Sequence, residues 1–255
     1  MPDVSAPGAA DGPPARRSLG TLFAINLVGL IVVSVLLGLG VWQVQRRAWK
    51  LDLIARVEAR VHAEPGPAPG PEAWPAVSAE ADAYRRLRLT GTFQYDRTSL
   101  VQALTEFGGG FWVLTPLQSE AGFTVLVNRG FVPSDRRDLA DRAEPAGPVT
   151  LTGLLRVTEP GGAFLRSNDP AADRWYSRDV AAIAGARGLT GVAPYFVDAD
   201  AGPDPGRLPV GGLTVVAFPN SHLVYALTWF VLAAMSAGAL VYLDREAFRE
   251  RRRAA

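Results

Sequence analysis

Residues 21–42, TLFAINLVGLIVVSVLLGLGVW, and residues 222–243, HLVYALTWFVLAAMSAGALVYL, decide the architecture. Neither run contains Asp, Glu, Lys or Arg. Each exceeds the roughly 20 residues that an α-helix needs to cross a hydrocarbon core of about 30 Å. A core helix of a soluble protein would keep a polar face over this length, and these runs keep none. The first run is too long for the apolar stretch of a cleaved leader. Trp42-Gln43-Val44-Gln45-Arg46-Arg47 also follows it, where a cleavage site would need small residues. The expectation is two antiparallel transmembrane α-helices that stay in the protein.

Moving inward from the first run, Trp49, Leu53, Ile54, Val57 and Val61 recur at helical spacing, which carries the helix out of the membrane to residue 63. Residues 64–76, EPGPAPGPEAWPA, hold Pro65, Pro67, Pro69, Pro71 and Pro75, a composition expected of a stiff extended linker. Beyond residue 84 the period changes to two. Phe123, Val125, Val127 and Phe131 share one strand face, and Val149, Leu151, Leu155 and Val157 share another. Candidate strands cover 84–93, 98–104, 111–118, 123–131, 149–157, 193–198 and 212–217. One helix is expected from Val180 to Arg187, begun by Asp179 and stopped by Gly188. This predicts a mainly-β extramembrane domain, a small antiparallel barrel or sandwich with one helix. The expected order is a disordered tail (1–17), the first span (18–44), a juxtamembrane helix (45–63), a linker (64–78), the β domain (79–218), the second span (219–243) and a basic tail (244–255).

Composition removes whole classes of chemistry. The chain has no cysteine, so disulfides, zinc–thiolate sites, thiolate nucleophiles and cysteine-based copper delivery are excluded. Of 26 Lys and Arg residues, Lys50 is the only lysine. No phosphate-binding loop lysine exists, and the one candidate for a Schiff base lies at the membrane surface. A net charge of +1 with scattered basic residues gives no nucleic-acid patch. His62 and His222 are the only histidines, so a Ser–His–Asp triad in the β domain has no base. Asp198-x-Asp200-x-Gly202-x-Asp204 lacks the third acidic position, glycine placement and terminal Glu of a calcium loop, and reads as a strand-ending turn. A non-enzymatic protein is expected. Arg16, Arg17, Arg245, Arg249, Arg251, Arg252 and Arg253 flank the outer ends of the two runs and predict both termini cytoplasmic with the β domain periplasmic.

Three groups of residues invite a function. Trp42, Arg46 and Trp49 fall at i, i+4 and i+7, either as an interfacial belt or as a docking stripe for a partner. His222 opens the second run, with Tyr225 and Trp229 on its face at i+3 and i+7. Its imidazole suits haem iron, another metal, or an interfacial hydrogen bond; a single histidine cannot close a metal site, but one axial histidine holds a haem. Asn168-Asp169-Pro170 and Trp175-Tyr176-Ser177-Arg178-Asp179 combine turn and N-cap chemistry with aromatic groups that suit a core or a surface site.

The motifs, taken in order, resemble the Surfeit-locus family of cytochrome c oxidase assembly factors, in its bacterial form. They are Gly40-x-Trp42-Gln43-x-x-Arg46-x-x-Trp49-Lys50, Tyr84-Arg85-Arg86, Gly91-x-Phe93 and Thr115-Pro116-Leu117. Val127-Asn128-Arg129-Gly130-Phe131-Val132-Pro133, Gly153-x-Leu155 and Glu159-Pro160-Gly161 follow. Asn168-x-Pro170, Trp175-Tyr176-x-x-Asp179 and Asn220-x-His222-Leu223-x-Tyr225-Ala226-x-Thr228-Trp229-Phe230 complete the series. Phe131 stands where the family often has Trp, which keeps an aromatic there. The resemblance implies an inner-membrane protein that helps to mature haem–copper oxidase. It implies haem a as a transient cofactor, with His222 as its axial ligand and Tyr225 and Trp229 beside the macrocycle. It also implies that Trp42, Arg46 and Trp49 contact haem propionates or a partner helix. The implied partners are oxidase subunit I, haem a synthase and membrane lipid, with no nucleic acid. The rival reading is a cofactor-free, membrane-anchored scaffold that acts by protein contacts alone.

Overall fold

The computed structural model describes residues 18–138, 147–163, 165–204, 207–216 and 218–253. The tail expected to be disordered, 1–17, lies outside the described residues. The chain divides into two compact units, a helical one (up to Asp52 and from Phe218) and a β unit, Leu53–Ala217.

The elements, in chain order, are helix α1 (Leu19–Val61), strand β1 (Gly66–Pro67), helix α2 (Ala79–Asp82) and strands β2 (Arg86–Phe93), β3 (Ser99–Thr105), β4 (Gly108–Ser119), β5 (Thr124–Pro133) and β6 (Val149–Val157). The short strands β7 (Gly162–Ala163) and β8 (Arg166–Ser167), helix α3 (Val180–Ala186), strand β9 (Val192–Ala199) and helix α4 (His222–Arg252) complete the series. The sheet runs β1-β2-β6-β9-β5-β4-β3, and a further pairing of β2 with β4 closes five strands into a barrel. Among the described residues, only β1–β2 and β5–β9 are parallel strand pairs in this sheet. Gly91 sits at the closure, where β2 leaves β6 and takes up β4. A Cβ there would collide with the Gln118 carbonyl oxygen, so glycine permits the two strands to meet.

Alternation fills the barrel. Leu87, Leu89, Leu117, Phe123, Val125, Val127, Leu155, Ala193, Tyr195 and Val197 form its interior, and Val149, Leu151 and Val157 pack against them. The opposite faces of β5 and β9 supply Leu126 and Phe196, which are covered by Val180 and Ile183 of α3 together with Trp175. Asp179 caps α3 by accepting the Ala182 amide at 3.1 Å, and Gly188 turns the chain after it at φ +61°.

Four expectations need correction. Phe131 is buried but leaves the barrel face of Phe123, Val125 and Val127. A bulge shifts the β4–β5 register between Trp112 and Leu114, and Phe131 meets the Phe107 and Trp112 rings instead. Residues 211–216 form no strand, because Gly211 and Gly212 break the alternation and Thr214 turns its hydroxyl to Asp198. The proline-rich segment does not stand apart as a linker. Gly66 and Pro67 pair with β2, and the Pro69 carbonyl accepts from both Trp74 Nε1 (3.0 Å) and the Tyr195 hydroxyl (2.7 Å). Trp74 sets its edge on Phe123, so apolar burial overrides the stiffness of the prolines. Finally, α4 does not end with its apolar run but carries the basic segment as helix to Arg252.

Candidate functional site

The site lies in the helical unit, where α1 and α4 pack against each other. Both helices are long and apolar enough to cross a membrane. On α1, Asn26, Gly29, Val33, Leu36, Gly40, Gln43 and Arg47 are buried or half-buried, at alternating steps of three and four. On α4 the same steps pick out His222, Ala226, Trp229, Ala233, Ser236, Leu240 and Leu243. This is the spacing of a helix pair with a left-handed seam. Small residues set its closeness. A Cβ on Gly40 would enter the Phe230 ring, and one on Gly29 would enter the Leu240 side chain. The contacts Gly29–Leu240 and Gly40–Phe230 run in opposite chain directions, so the helices are antiparallel, as expected from sequence.

A polar pair stands toward each end of this seam. Asn26 Nδ2 donates to Asp244 Oδ1 at 2.7 Å, and His222 Nδ1 lies 2.8 Å from Gln43 Oε1. The second pair orients the imidazole. With the Gln43 amide oxygen facing the ring, Nδ1 is the donor, and in that tautomer the lone pair lies on Nε2. Among the described residues no group hydrogen-bonds that Nε2. A partner on one ring nitrogen that orients the other for a metal is the usual supporting arrangement of a histidine ligand. Asn220 Oδ1, two residues earlier, is buried and has no hydrogen-bond partner among the described residues.

The aromatic groups fall into place around the pair. At about 100° per residue, Arg46 stands roughly 100° round from the α1 seam and Tyr225 roughly 60° round from the α4 seam, on which Trp229 itself lies. Because the helices are antiparallel, these rotations bring the three side chains to the same side of the pair. Tyr225 is 53% exposed and Trp229 half-buried. The Arg46 guanidinium covers the Trp49 ring at 4.1 Å, while Trp42 and Trp49 lie further round and are exposed. The structure therefore brings His222, Tyr225, Trp229 and Arg46 to one surface and leaves Trp42 and Trp49 at its margin. Gln43 stands in the first family motif but was given no role from sequence, beside the more conspicuous Trp42.

The other sequence candidates prove structural. Asn168 Oδ1 accepts the amides of Tyr176 (2.8 Å) and Ser177 (3.1 Å), and Trp175 is buried against α3. Asp169 is held below the usual carboxylate range by its hydrogen bond from Arg174. Asp198 belongs to an ion network and not to a calcium loop. It accepts from Asn128 Nδ2 (2.8 Å), Arg156 (2.7 Å), Arg178 (3.3 Å) and Thr214 (2.9 Å). Burial alone would lower the pKa of Arg178, but its bonds to Glu159 and the Asp198 charge outweigh that and raise it. The Asn128-Arg129-Gly130 motif is explained here. Asn128 Oδ1 accepts the Gly130 amide at 3.1 Å, and a Cβ on Gly130 (φ +128°) would strike the Val210 carbonyl. Among the described residues no group of three His, Cys, Asp or Glu side chains is placed to hold a metal ion.

The family profile that matches this chain is that of the SURF1 family, and it covers residues 30–234. The chain belongs to the SURF1 family. Surfeit locus protein 1 of Mus musculus is 36% identical over 223 residues, 80% of this chain and 71% of the mouse protein. The Homo sapiens protein is 35% identical over 229 residues, 82% of this chain and 74% of its own length. A SURF1-like protein of Monosiga brevicollis is 36% identical over 247 residues, 91% of this chain and 90% of its own. SURF1 proteins are known as cytochrome c oxidase assembly factors, a family that points to a non-catalytic role. Gln43 and His222 lie within the SURF1 match, whereas Asn26 and Asp244 lie outside it.

Proposed function

We propose that the chain is a non-enzymatic assembly factor that holds haem a through His222 and presents it to subunit I of a haem–copper cytochrome c oxidase. The observation that carries the reading is the Gln43–His222 hydrogen bond, which leaves the Nε2 lone pair directed away from its partner. The surrounding residues suit the group. Haem would supply an iron that accepts this lone pair. Tyr225 and Trp229 offer ring faces to the macrocycle, and Arg46 offers a cation to propionates, with Trp42 and Trp49 at the edge of the site or against a partner helix. A single protein ligand on an open surface suits a carrier that must release its cargo. The donor of that cargo is haem a synthase and its acceptor is subunit I. The location is the bacterial inner membrane, with both termini cytoplasmic and the barrel periplasmic, supported by the arginines beyond the outer ends of the spans.

The test is the haem content of the full chain, co-produced with the haem a pathway and purified. The wild-type protein should show a Soret band. His222→Ala loses it or shifts it strongly, and His62→Ala leaves it unchanged. Gln43→Leu, which removes the acceptor but keeps the ligand, lowers haem retention without abolishing it. A His222→Ala protein with wild-type haem content and Soret position overturns the ligand assignment, and the cofactor-free scaffold then replaces it.

A further inference from the structure

Helix α4 runs on past the end of its apolar run at Leu243 as far as Arg252. In this extension the charges are sorted. At about 100° per residue, Arg245, Arg249 and Arg252 fall within about 60° of one another, with Phe248 on their flank. Glu246 and Glu250 stand about 100–140° round from Arg245, and the Asp244 carboxylate accepts from Asn26. The Arg252 guanidinium lies over the Phe248 ring at 4.8 Å, and that ring is 58% exposed. Arg249 has Glu246 at 3.7 Å, an exposed pair of little strength. Asp244, Arg245, Phe248, Arg249 and Arg252 together line an open recess of 580 Å³.

We propose that this recess is a docking site for the headgroup of an anionic phospholipid. Three observations converge on a lipid. The stripe begins two residues past the last apolar side chain, about 3 Å beyond the hydrocarbon boundary, and so starts at the depth of the headgroup phosphates. Its cations are all arginine, whose planar fork engages phosphate oxygens in pairs, where lysine would act as a point charge. Phe248, about 8 Å past the same boundary, adds an exposed apolar ring beside the stripe at the outer edge of the headgroup layer. A phosphodiester entering from the bilayer must displace the weak, exposed contact of Glu246 with Arg249, and in the recess lining it meets the Asp244 carboxylate alone. That carboxylate is occupied by Asn26.

The test uses the full chain in mixed micelles of phosphatidylglycerol and phosphatidylcholine, with retained lipid counted by native mass spectrometry. Wild type retains phosphatidylglycerol in preference. Two double variants lose the same charge: R249Q/R252Q in the recess lining, the stripe pair, and R251Q/R253Q outside that lining, the off-stripe pair. The stripe pair should lose about fivefold in retention for each arginine, about 25-fold together, which corresponds to roughly 1 kcal/mol per basic side chain at an anionic surface. The off-stripe pair should change it less than about threefold. Equal losses in the two variants would show a general charge effect and overturn the site. So would a wild-type protein with no preference for phosphatidylglycerol.

Discussion

Replacing Asp198 with alanine removes the centre of the ion network beside the barrel. Asp198 is 4% exposed and accepts four hydrogen bonds, from Asn128, Arg156, Arg178 and Thr214. The arginine side chains are themselves 19% and 13% exposed. Removing one partner of such a buried pair costs about 3–5 kcal/mol, because the remaining charge is left without compensation. Glu159 moderates the loss. It holds Arg178 at 2.6 Å but stands 3.6 Å from Arg156, so Arg156 bears most of the cost. We expect the lower part of that range, about 3 kcal/mol, which for a unit of this size lowers the melting temperature by about 6–12 °C. Asp198→Asn preserves volume and one acceptor oxygen, so it separates charge from cavity. It should retain well over half of the effect. The assay is thermal unfolding of the purified full chain, followed by tryptophan fluorescence, since Trp112 and Trp175 report on the barrel. A loss below about 1 kcal/mol in both variants would refute the claim that this carboxylate compensates two buried guanidiniums.

Further outcomes follow from the same contacts. Tyr195→Phe removes the hydrogen bond to the Pro69 carbonyl and should cost about 1 kcal/mol, seen as faster proteolysis within 64–78. Burial raises the Tyr195 pKa, so the folded state favours the neutral phenol. Its contribution is complete below pH ~10 and is lost as pH rises through the folded value. Wild type should therefore release the segment in strong alkali, while Tyr195→Phe should lack that step. A fragment spanning residues 53–217 should unfold cooperatively, whereas one starting at residue 79 should not, because it lacks Trp74 and the Pro69 acceptor; equal cooperativity in the two would contradict the packing. The absence of native cysteine makes N26C/D244C a clean cross-linking pair, and a short thiol-reactive cross-linker should join them, since the native side chains meet at 2.7 Å. Adding Gly40→Leu should suppress the cross-link by forcing the helices apart at Phe230. Reporter fusions at Ala255 and within 120–122 should fall on opposite sides of the membrane, with Ala255 cytoplasmic; a cytoplasmic signal from 120–122 reverses the proposed orientation.

Much of this architecture could be read in one dimension, because it rests on local periodicity. Two uncharged runs suffice to predict two spans, since a bilayer imposes length and apolarity on each helix separately. Period-two alternation placed β2 to β6 and β9, and Asp179 with Gly188 bounded α3, because strand faces and caps are settled by neighbours in sequence. The proline-rich segment misled because Trp74 finds its partner at Phe123, a contact that no local composition encodes. The bulge at Gly130 and the loss of a strand at 212–216 likewise depend on Val210 and Asp198, far along the chain. The site divides in the same way. Composition alone marked His222 as the one histidine on either apolar run and marked the aromatic residues beside it. That its Nδ1 is satisfied by Gln43, leaving Nε2 available, depends on which residues two antiparallel helices bring face to face. That register is set by Gly29, Gly40 and their partners across the seam, through close packing that exists only once both helices are in place.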